Sequence, residues 1–161
     1  MTRTQNDVSV NEYLQNPSNA AVYAAGDAAD TGAPRLRRVA GMEGDVVAAN
    51  LPSGNVRKPD ASVVPSIVFT TPALGTVGLT ERNGRERNAR FSVKRGDTTE
   101  WYSFATCRRH EIWIGATVLG PEAEELTNRF AIAMKFRLSA SKVRDSDFAY
   151  SSAASALAYM V

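Results

Sequence analysis

Cys107 and His110 are the only cysteine and the only histidine of this 161-residue chain, and they lie three residues apart. A thiol beside an imidazole is able to act as a nucleophile that a base activates. The surrounding segment ATCRRHEIWIG is instead typical of strand and turn, where a cysteine fills a small site in the core. A buried structural role is therefore the favoured interpretation of Cys107, and a Cys-His nucleophile is the alternative. These counts exclude a disulfide framework, a dithiol redox pair and a Cys/His zinc site within the chain.

Charge and hydropathy narrow the function classes further. The formal net charge is +2, and arginine alternates with glutamate in the longest basic cluster, ERNGRERNAR at residues 81–90. This pattern predicts a solvated loop, whereas nucleic-acid binding requires a concentrated basic face with aromatic side chains. No apolar run approaches the roughly 18 residues of a membrane helix, and the N-terminus lacks the apolar region of a secretory signal. We therefore expect no nucleic-acid partner, no membrane association and a cytoplasmic protein.

A stretch rich in proline and small polar residues divides the chain into two sections. The segment LPSGNVRKPDASVVP at residues 51–65 interrupts every periodic pattern and predicts a linker. Before it, DVSVN alternates like a strand, VYAAGDAAD is typical of a short buried strand that ends in Gly26 and Asp27, and residues 35–51 have helical periodicity. The first section is therefore strand, strand, helix. The predicted apolar face of the helix consists of Leu36, Val39, Ala40, Val46, Val47 and Leu51.

The second section predicts an antiparallel sheet followed by helices. Five segments rich in β-branched and aromatic residues are bounded by Gly, Pro, Asn and Asp. Helical spacing follows in GPEAEELTNRFAIAMKF, with Pro121 at the expected first helical position, and Ser139 is the predicted N-cap of a shorter helix. The fold class is therefore α+β, a sheet of four to five strands with helices packed on one face, preceded by the β-β-α section. The strand segments are SIVFTTP, LGTVGLTE, ARFSVKR, EWYSFATC and EIWIGATVLG.

The chain ends in FAYSSAASALAYMV, a tail of small and apolar residues. Exposure of such a segment to water would be unfavourable. We therefore expect the tail to pack on its own domain or on a second subunit.

Four stretches in order resemble the C-terminal third of the class I pyridine nucleotide-disulfide oxidoreductases, the family of glutathione reductase, dihydrolipoamide dehydrogenase and mercuric reductase. They are VYAAGDAAD, PSIVFTTPALGTVGLTE, IGATVLGPEAEELTNRFAIAMKF and FAYSSAASALAYMV. The resemblance implies that residues 1–51 are the last piece of an FAD-binding domain, residues 52–64 a linker, and residues 65–161 the dimerisation domain. It also implies a homodimer formed through residues 65–161 and a role in cell redox homeostasis.

The resemblance further implies a set of FAD-binding residues. Asp27 would accept hydrogen bonds from the ribitol hydroxyls, while Gly26 allows a close approach of the backbone. The helix that begins near Arg38, Val39 and Ala40 would direct its N-terminal amides at the pyrimidine carbonyl of the flavin. No catalytic residue and no metal ligand is predicted.

Several parts of the family's active site do not occur in these 161 residues. No G-x-G-x-x-G loop follows a strand to hold the FAD pyrophosphate, and there are no paired cysteines. The family's His-Pro pair, and the Glu five residues after the His, align with Tyr150, Ser151 and Ser155. Tyrosine titrates near 10, so it cannot replace an imidazole as a proton shuttle at neutral pH. The roles open to Tyr150 are a hydrogen bond to substrate or packing at a helix entry.

One further departure concerns the length of FATCRRHEIWIGATVLG. The family usually has another strand and turn in this region, and there is little room for them here. The sequence therefore predicts a missing or shortened hairpin, which would leave an edge strand open to pairing.

Three functions are consistent with these observations. The first is a non-catalytic dimerisation domain that binds FAD weakly or not at all and forms a colourless homodimer. The second is one part of a split FAD-dependent NAD(P)H oxidoreductase, completed by a separately encoded FAD/NAD-binding chain. It predicts exposed apolar surface on residues 1–51. The third is a stand-alone module that binds a ligand or protein.

Overall fold

A computed structural model describes residues 7–98 and 102–160 of the chain. Its contacts group into two units, Met1–Ala61 and Ser62–Val161. The predicted strand EWYSFATC begins at Glu100 and Trp101, which lie outside the described residues, as does Val161 at the end of the tail.

The first unit contains two very short strands and one long helix. Strand β1 (Val8–Ser9) pairs in parallel with β2 (Ala29–Asp30). The predicted strand end at Gly26 and Asp27 is wrong, because Gly26–Ala28 form a 3₁₀ helix before β2. Gly26 has a φ of 65°, which an extended strand does not allow, and the chain turns at this point.

Helix α1 spans Arg37–Ser53 and so includes the first residues of the predicted linker, residues 52–64. Val39 and Val46 of the predicted apolar face are buried, but Leu51 is 61% exposed. The buried face contains Glu43 and Asn50, two polar residues that the apolar periodicity does not include. Their burial is stable only because each forms several hydrogen bonds.

The side chain of Asn50 joins three segments of the first unit. Its amide nitrogen donates to the carbonyl oxygens of Tyr13 and Arg57 at 3.0 and 2.9 Å. Its amide oxygen accepts from the backbone N–H groups of Val56 and Arg57 at 3.1 and 2.9 Å. All four hydrogen-bonding positions of the amide are therefore used, and α1 is tied to the residues before and after it.

The second unit is built on the five-stranded antiparallel sheet that the sequence predicts. Its strand order is β3-β4-β7-β6-β5, so the strands at the two edges are β3 and β5. The strands are β3 (Pro65–Val68), β4 (Ala73–Gly78), β5 (Ser92–Asp97), β6 (Ser103–Arg109) and β7 (Ile112–Gly120).

Strands β6 and β7 are joined by a short turn, and β7 contains a β-bulge close to it. Cys107 pairs with Gly115 and Arg108 with Trp113, so Ile114 is the extra residue. Two residues, His110 and Glu111, form the turn between the strands. The sheet therefore keeps all five predicted strands, and β6 and β7 form a hairpin with a short turn.

Three helices after the sheet cover one of its faces. They are α3 (Ala123–Lys135), α4 (Ala140–Arg144) and α5 (Leu157–Met160), with a 3₁₀ helix at Ala153–Ala156 before α5. Glu122, in a left-handed conformation, is the N-cap of α3. Pro121 therefore lies before the helix and not at its first position. Ser139 caps α4 as predicted, since its hydroxyl accepts from the Lys142 N–H.

The arginine-rich segment at residues 81–90 is helical in its first half. Helix α2 spans Glu81–Glu86, so the prediction of a loop is wrong there. The Thr80 hydroxyl caps the helix by accepting from the Asn83 N–H at 3.3 Å, and Glu81 pairs with Arg85 one turn later. Glu81 also pairs with Arg95, whose side chain points away from the face that α3 covers.

The apolar tail packs within its own unit. Ala154, Ala156, Leu157 and Met160 are all buried, and the Thr106 hydroxyl on β6 donates to the Met160 carbonyl oxygen at 3.5 Å. The hydrophobic effect therefore fixes the tail on the sheet. None of the helices in the described part of the chain combines the length and apolar character that crossing a bilayer requires.

Candidate cofactor site in the first unit

A pocket of about 80 Å³ lies between the Gly26–Ala28 turn and the start of α1. Four of the five predicted FAD-binding residues line it: Gly26, Asp27, Val39 and Ala40. The fifth residue, Arg38, lines a separate open groove on the neighbouring side of α1. Successive helical residues are about 100° apart, so Arg38 and Val39 face different directions. The structure thus brings four of the predicted residues together and leaves Arg38 out.

Glu43 holds the wall of this pocket in place, although it is not among the residues that the sequence predicts for the site. Its side chain is only 1% exposed. One carboxylate oxygen accepts from the Gly26 N–H at 2.7 Å, and the other accepts from the Thr31 hydroxyl at 3.1 Å. A signal was present in the sequence, because Glu43 stands on the stripe of α1 that contains Val39 and Val46.

Gly26 is required by the packing of the turn against α1. A Cβ atom at this position would lie 3.0 Å from the Ala40 Cβ, which is tighter than ordinary van der Waals contact. This contact and the positive φ of Gly26 explain why the position is a glycine, and the explanation needs no ligand. The glycine therefore establishes the close approach of turn and helix.

The start of α1 offers free hydrogen-bond donors beside the pocket. The N-cap Leu36 has no side chain that caps the helix, and no acidic residue lies in the first turn. The first backbone N–H groups of the helix therefore carry its positive partial charge without an acidic residue in the same turn. Asp27, exposed on the opposite wall, supplies a carboxylate that accepts hydrogen bonds. The site suits hydroxyl groups and an electron-rich group.

Cys107 lies in the second unit and is 2% exposed. Burial raises the pKa of its thiol, although the Arg95 guanidinium opposes this shift. His110 is exposed in the turn after β6. A buried thiol that stays protonated is a poor nucleophile, so the structure favours the core role of Cys107 over the Cys-His pair. Among the residues that the structure describes, no group of His, Cys, Asp and Glu side chains is placed to hold a metal ion.

The residues that align with the family's catalytic dyad do not form one here. Tyr150 is 91% exposed, so the predicted packing at a helix entry is wrong within this chain. The Ser155 hydroxyl donates to the Ser152 carbonyl oxygen at 2.6 Å, a local hydrogen bond within its own turn. Ser155 therefore does not orient Tyr150 as a carboxylate would.

The fold of residues 62–161, which follow the Gly-Asp turn in the sequence, indicates the class of protein. The family described as "Pyridine nucleotide-disulphide oxidoreductase, dimerisation domain" matches residues 64–161. The chain belongs to this oxidoreductase family and carries its dimerisation domain.

Relatives of the chain include a small protein of similar length and much longer enzymes. It is 37% identical to the "Uncharacterized 19.7 kDa protein in mercuric resistance operon" of Staphylococcus aureus, over 99% of this chain and 95% of that protein. It is 33% identical to the mercuric reductase of Staphylococcus aureus, over 90% of this chain but 28% of the reductase. The dihydrolipoyl dehydrogenase of Haloferax volcanii is 34% identical, over 71% of this chain and 26% of the enzyme. The chain therefore spans about a quarter of these two enzymes.

The same fold occurs in a solved structure. The HOCl-induced flavoprotein disulfide reductase RclA from Escherichia coli superposes with a TM-score of 0.79 and 22% identity, over 94% of this chain and 36% of that protein. This likeness supports the α+β fold with its five-stranded sheet.

Proposed function

We propose that the chain pairs with a second copy of itself through residues 65–161 and serves as the dimerisation part of a flavoprotein oxidoreductase, without catalysing a reaction by itself. The observation that carries this proposal is the outer face of α3. Ile132 and Phe136 are 55% and 72% exposed, and residues four apart lie on the same side of a helix. Large apolar side chains that adjoin each other on a well-packed unit indicate a protein interface.

Substitution of Ile132 by Glu is expected to convert the dimer to monomer. A carboxylate buried in the interface without a partner would weaken self-association by about a hundredfold or more. Light scattering coupled to size-exclusion chromatography measures the mass directly. The control is Leu51→Glu, which places the same charge on an exposed apolar position of α1 in the other unit and should leave the mass unchanged. A wild-type monomer, or equal effects of both variants, would contradict the proposal.

We extend the proposal to FAD. Residues 1–51 would form part of an FAD-binding domain. The residues nearest the cofactor would be Gly26, Asp27, Arg38, Val39 and Ala40. The Asp27 carboxylate and the uncapped start of α1 support contacts to a polyol and to a flavin ring. Arg38 has the least support, since it does not line the pocket. The pocket of about 80 Å³ is far below the roughly 300–1,000 Å³ of ordinary ligand sites. We therefore infer that the chain alone holds at most a fragment of FAD.

Titration of the purified chain with FAD is expected to give no stoichiometric complex. The reason is that no Gly-rich pyrophosphate loop occurs in these residues, and the pocket between the Gly26–Ala28 turn and α1 is too small for the whole cofactor. Flavin absorbance above 400 nm, measured after gel filtration, reports what stays bound. A one-to-one yellow complex that the Asp27→Asn variant weakens would contradict this expectation and would show that the site works unaided.

The second candidate, one part of a split enzyme, is supported by apolar side chains on the first unit. Val22 and Leu51 are 40% and 61% exposed, as expected for a surface that another chain covers. Co-expression with a family chain that contains the FAD- and NAD-binding domains tests this candidate. Co-purification of flavin with both chains, lost in Leu51→Glu but kept in Ile132→Glu, would favour it over the homodimer alone. The cytoplasmic location and the role in redox homeostasis stay predictions.

A further inference from the structure

A groove at one end of the sheet in the second unit carries basic charge only. It is open to solvent, has a volume of about 730 Å³ and lies where β5, β6 and the turn between β6 and β7 meet. Its lining consists of residues 88–92 and 108–110. Arg90, Arg108 and Arg109 are among them, His110 lies at the turn, and no aspartate or glutamate lines the groove. The groove is thus suited to a negatively charged ligand.

The three arginines of the groove are available for a ligand. In the described ranges 7–98 and 102–160 none of them forms an ion pair, whereas four other arginines of the same unit do. The Arg109 Nε donates to the Arg90 carbonyl oxygen at 3.3 Å, which positions its guanidinium beside the groove and leaves the terminal N–H donors free. The paired arginines are Arg82, Arg85, Arg95 and Arg129.

The positive field extends from the groove along the face of β5 that the helices cover. Burial and the nearby guanidinium groups of Arg108 and Arg144 lower the pKa of Lys94. Lys94 and Arg108 share this face, because Lys94 pairs with Thr106, two residues before Arg108 on β6.

We propose that this groove binds a small molecule that carries two or more phosphate groups. A guanidinium group donates two parallel N–H hydrogen bonds to the oxygens of one phosphate. Several arginines without an ion pair are best neutralised by a ligand with several negative charges. The groove volume lies within the range of small-molecule sites. Single-stranded nucleic acid needs a row of aromatic platforms, but Phe91 is the only aromatic residue of the lining, and its ring lies against Gly84. The observations therefore favour a compact polyphosphate over a polymer.

Calorimetric titration of the full chain with inorganic tripolyphosphate tests the proposal. We expect saturable binding that weakens as NaCl rises, because ligand charge is neutralised at the site. The double variant Arg108→Gln/Arg109→Gln should lose about tenfold to a hundredfold in affinity, since two charge-assisted contacts are removed. The control Arg82→Gln/Arg129→Gln removes the same net charge from helical positions outside the groove and should lose less than about twofold. Circular dichroism confirms that both variants are folded.

Three results would overturn the proposal: no binding at millimolar ligand, equal losses in the two double variants, or much tighter binding of single-stranded RNA than of tripolyphosphate. Titration with ATP separates two sources of the phosphates. ATP that binds at least as tightly as tripolyphosphate supports the site with a nucleotide ligand. Weaker binding of ATP supports the site with an inorganic polyphosphate.

Discussion

Substitution of Gly115 by alanine is expected to destabilise the second unit by about 3–5 kcal/mol, a large share of the stability of a single domain. A Cβ atom at this position would lie 1.8 Å from the Leu79 carbonyl oxygen and 2.6 Å from its carbonyl carbon. No rotamer relieves this contact, because the obstacle is backbone. The Leu79 segment would have to move, which breaks the 2.7 Å hydrogen bond from the Leu79 N–H to the Ile114 carbonyl oxygen.

Urea unfolding followed by tryptophan fluorescence measures the effect of Gly115→Ala, since both tryptophans lie in the sequence of the second unit. The control is Gly41→Ala in α1, where the added Cβ meets nothing within 4 Å. It should leave the fluorescence transition unchanged and stabilise the helix by about 0.5–1 kcal/mol. All proteins must be compared at one concentration, because self-association shifts the midpoint. A loss below about 1 kcal/mol for Gly115→Ala would show that the Leu79 segment is not fixed over β7.

The five strands and the longest helix of the second unit could be predicted because their signals are local. β-branched residues bounded by Gly and Pro mark strands, and helical spacing of Leu126, Phe130 and Ala133 marks α3. The bulge at Ile114 has no such signal, since it depends on how β6 and β7 pair. The start of α3 was misplaced for a similar reason: Glu122 adopts a left-handed conformation that its residue type does not predict.

The candidate cofactor site was predicted through family resemblance, and its architecture depends on contacts that sequence periodicity does not register. The turn at Gly26 takes its position from Glu43, seventeen residues away. A glutamate on a helix usually faces solvent, so the apolar pattern does not place Glu43 on the buried face. Asn50 was missed in the same way. To predict that a polar residue supports the fold by hydrogen bonding, one must know where its partners lie. Only the three-dimensional structure supplies those positions.

Substitution of Trp113 should distinguish packing from hydrogen bonding in the core of the second unit. The bulge at Ile114 shifts the register so that Trp113 faces the helices, where its ring meets Phe130 edge to face at a centroid distance of 5.5 Å. Trp113 is 2% exposed, and among the described residues its indole N–H has no hydrogen-bond partner. Trp113→Ala opens a large cavity and is expected to cost about 3–5 kcal/mol. Trp113→Phe keeps an aromatic ring and removes the unsatisfied donor, so it should cost less than about 1.5 kcal/mol.

Urea unfolding followed by circular dichroism suits this pair of variants, since both remove a fluorophore. Tyr159→Ala, which truncates an aromatic side chain that is largely exposed, serves as the control and should change stability by less than about 0.5 kcal/mol. Equal losses in Trp113→Phe and Trp113→Ala would contradict this expectation. They would mean that the part of the indole that phenylalanine lacks, its N–H and its second ring, accounts for the whole effect. A small loss in the Phe variant alone would show that the edge-to-face contact with Phe130 holds α3 on the sheet, because a phenyl ring is able to keep this contact.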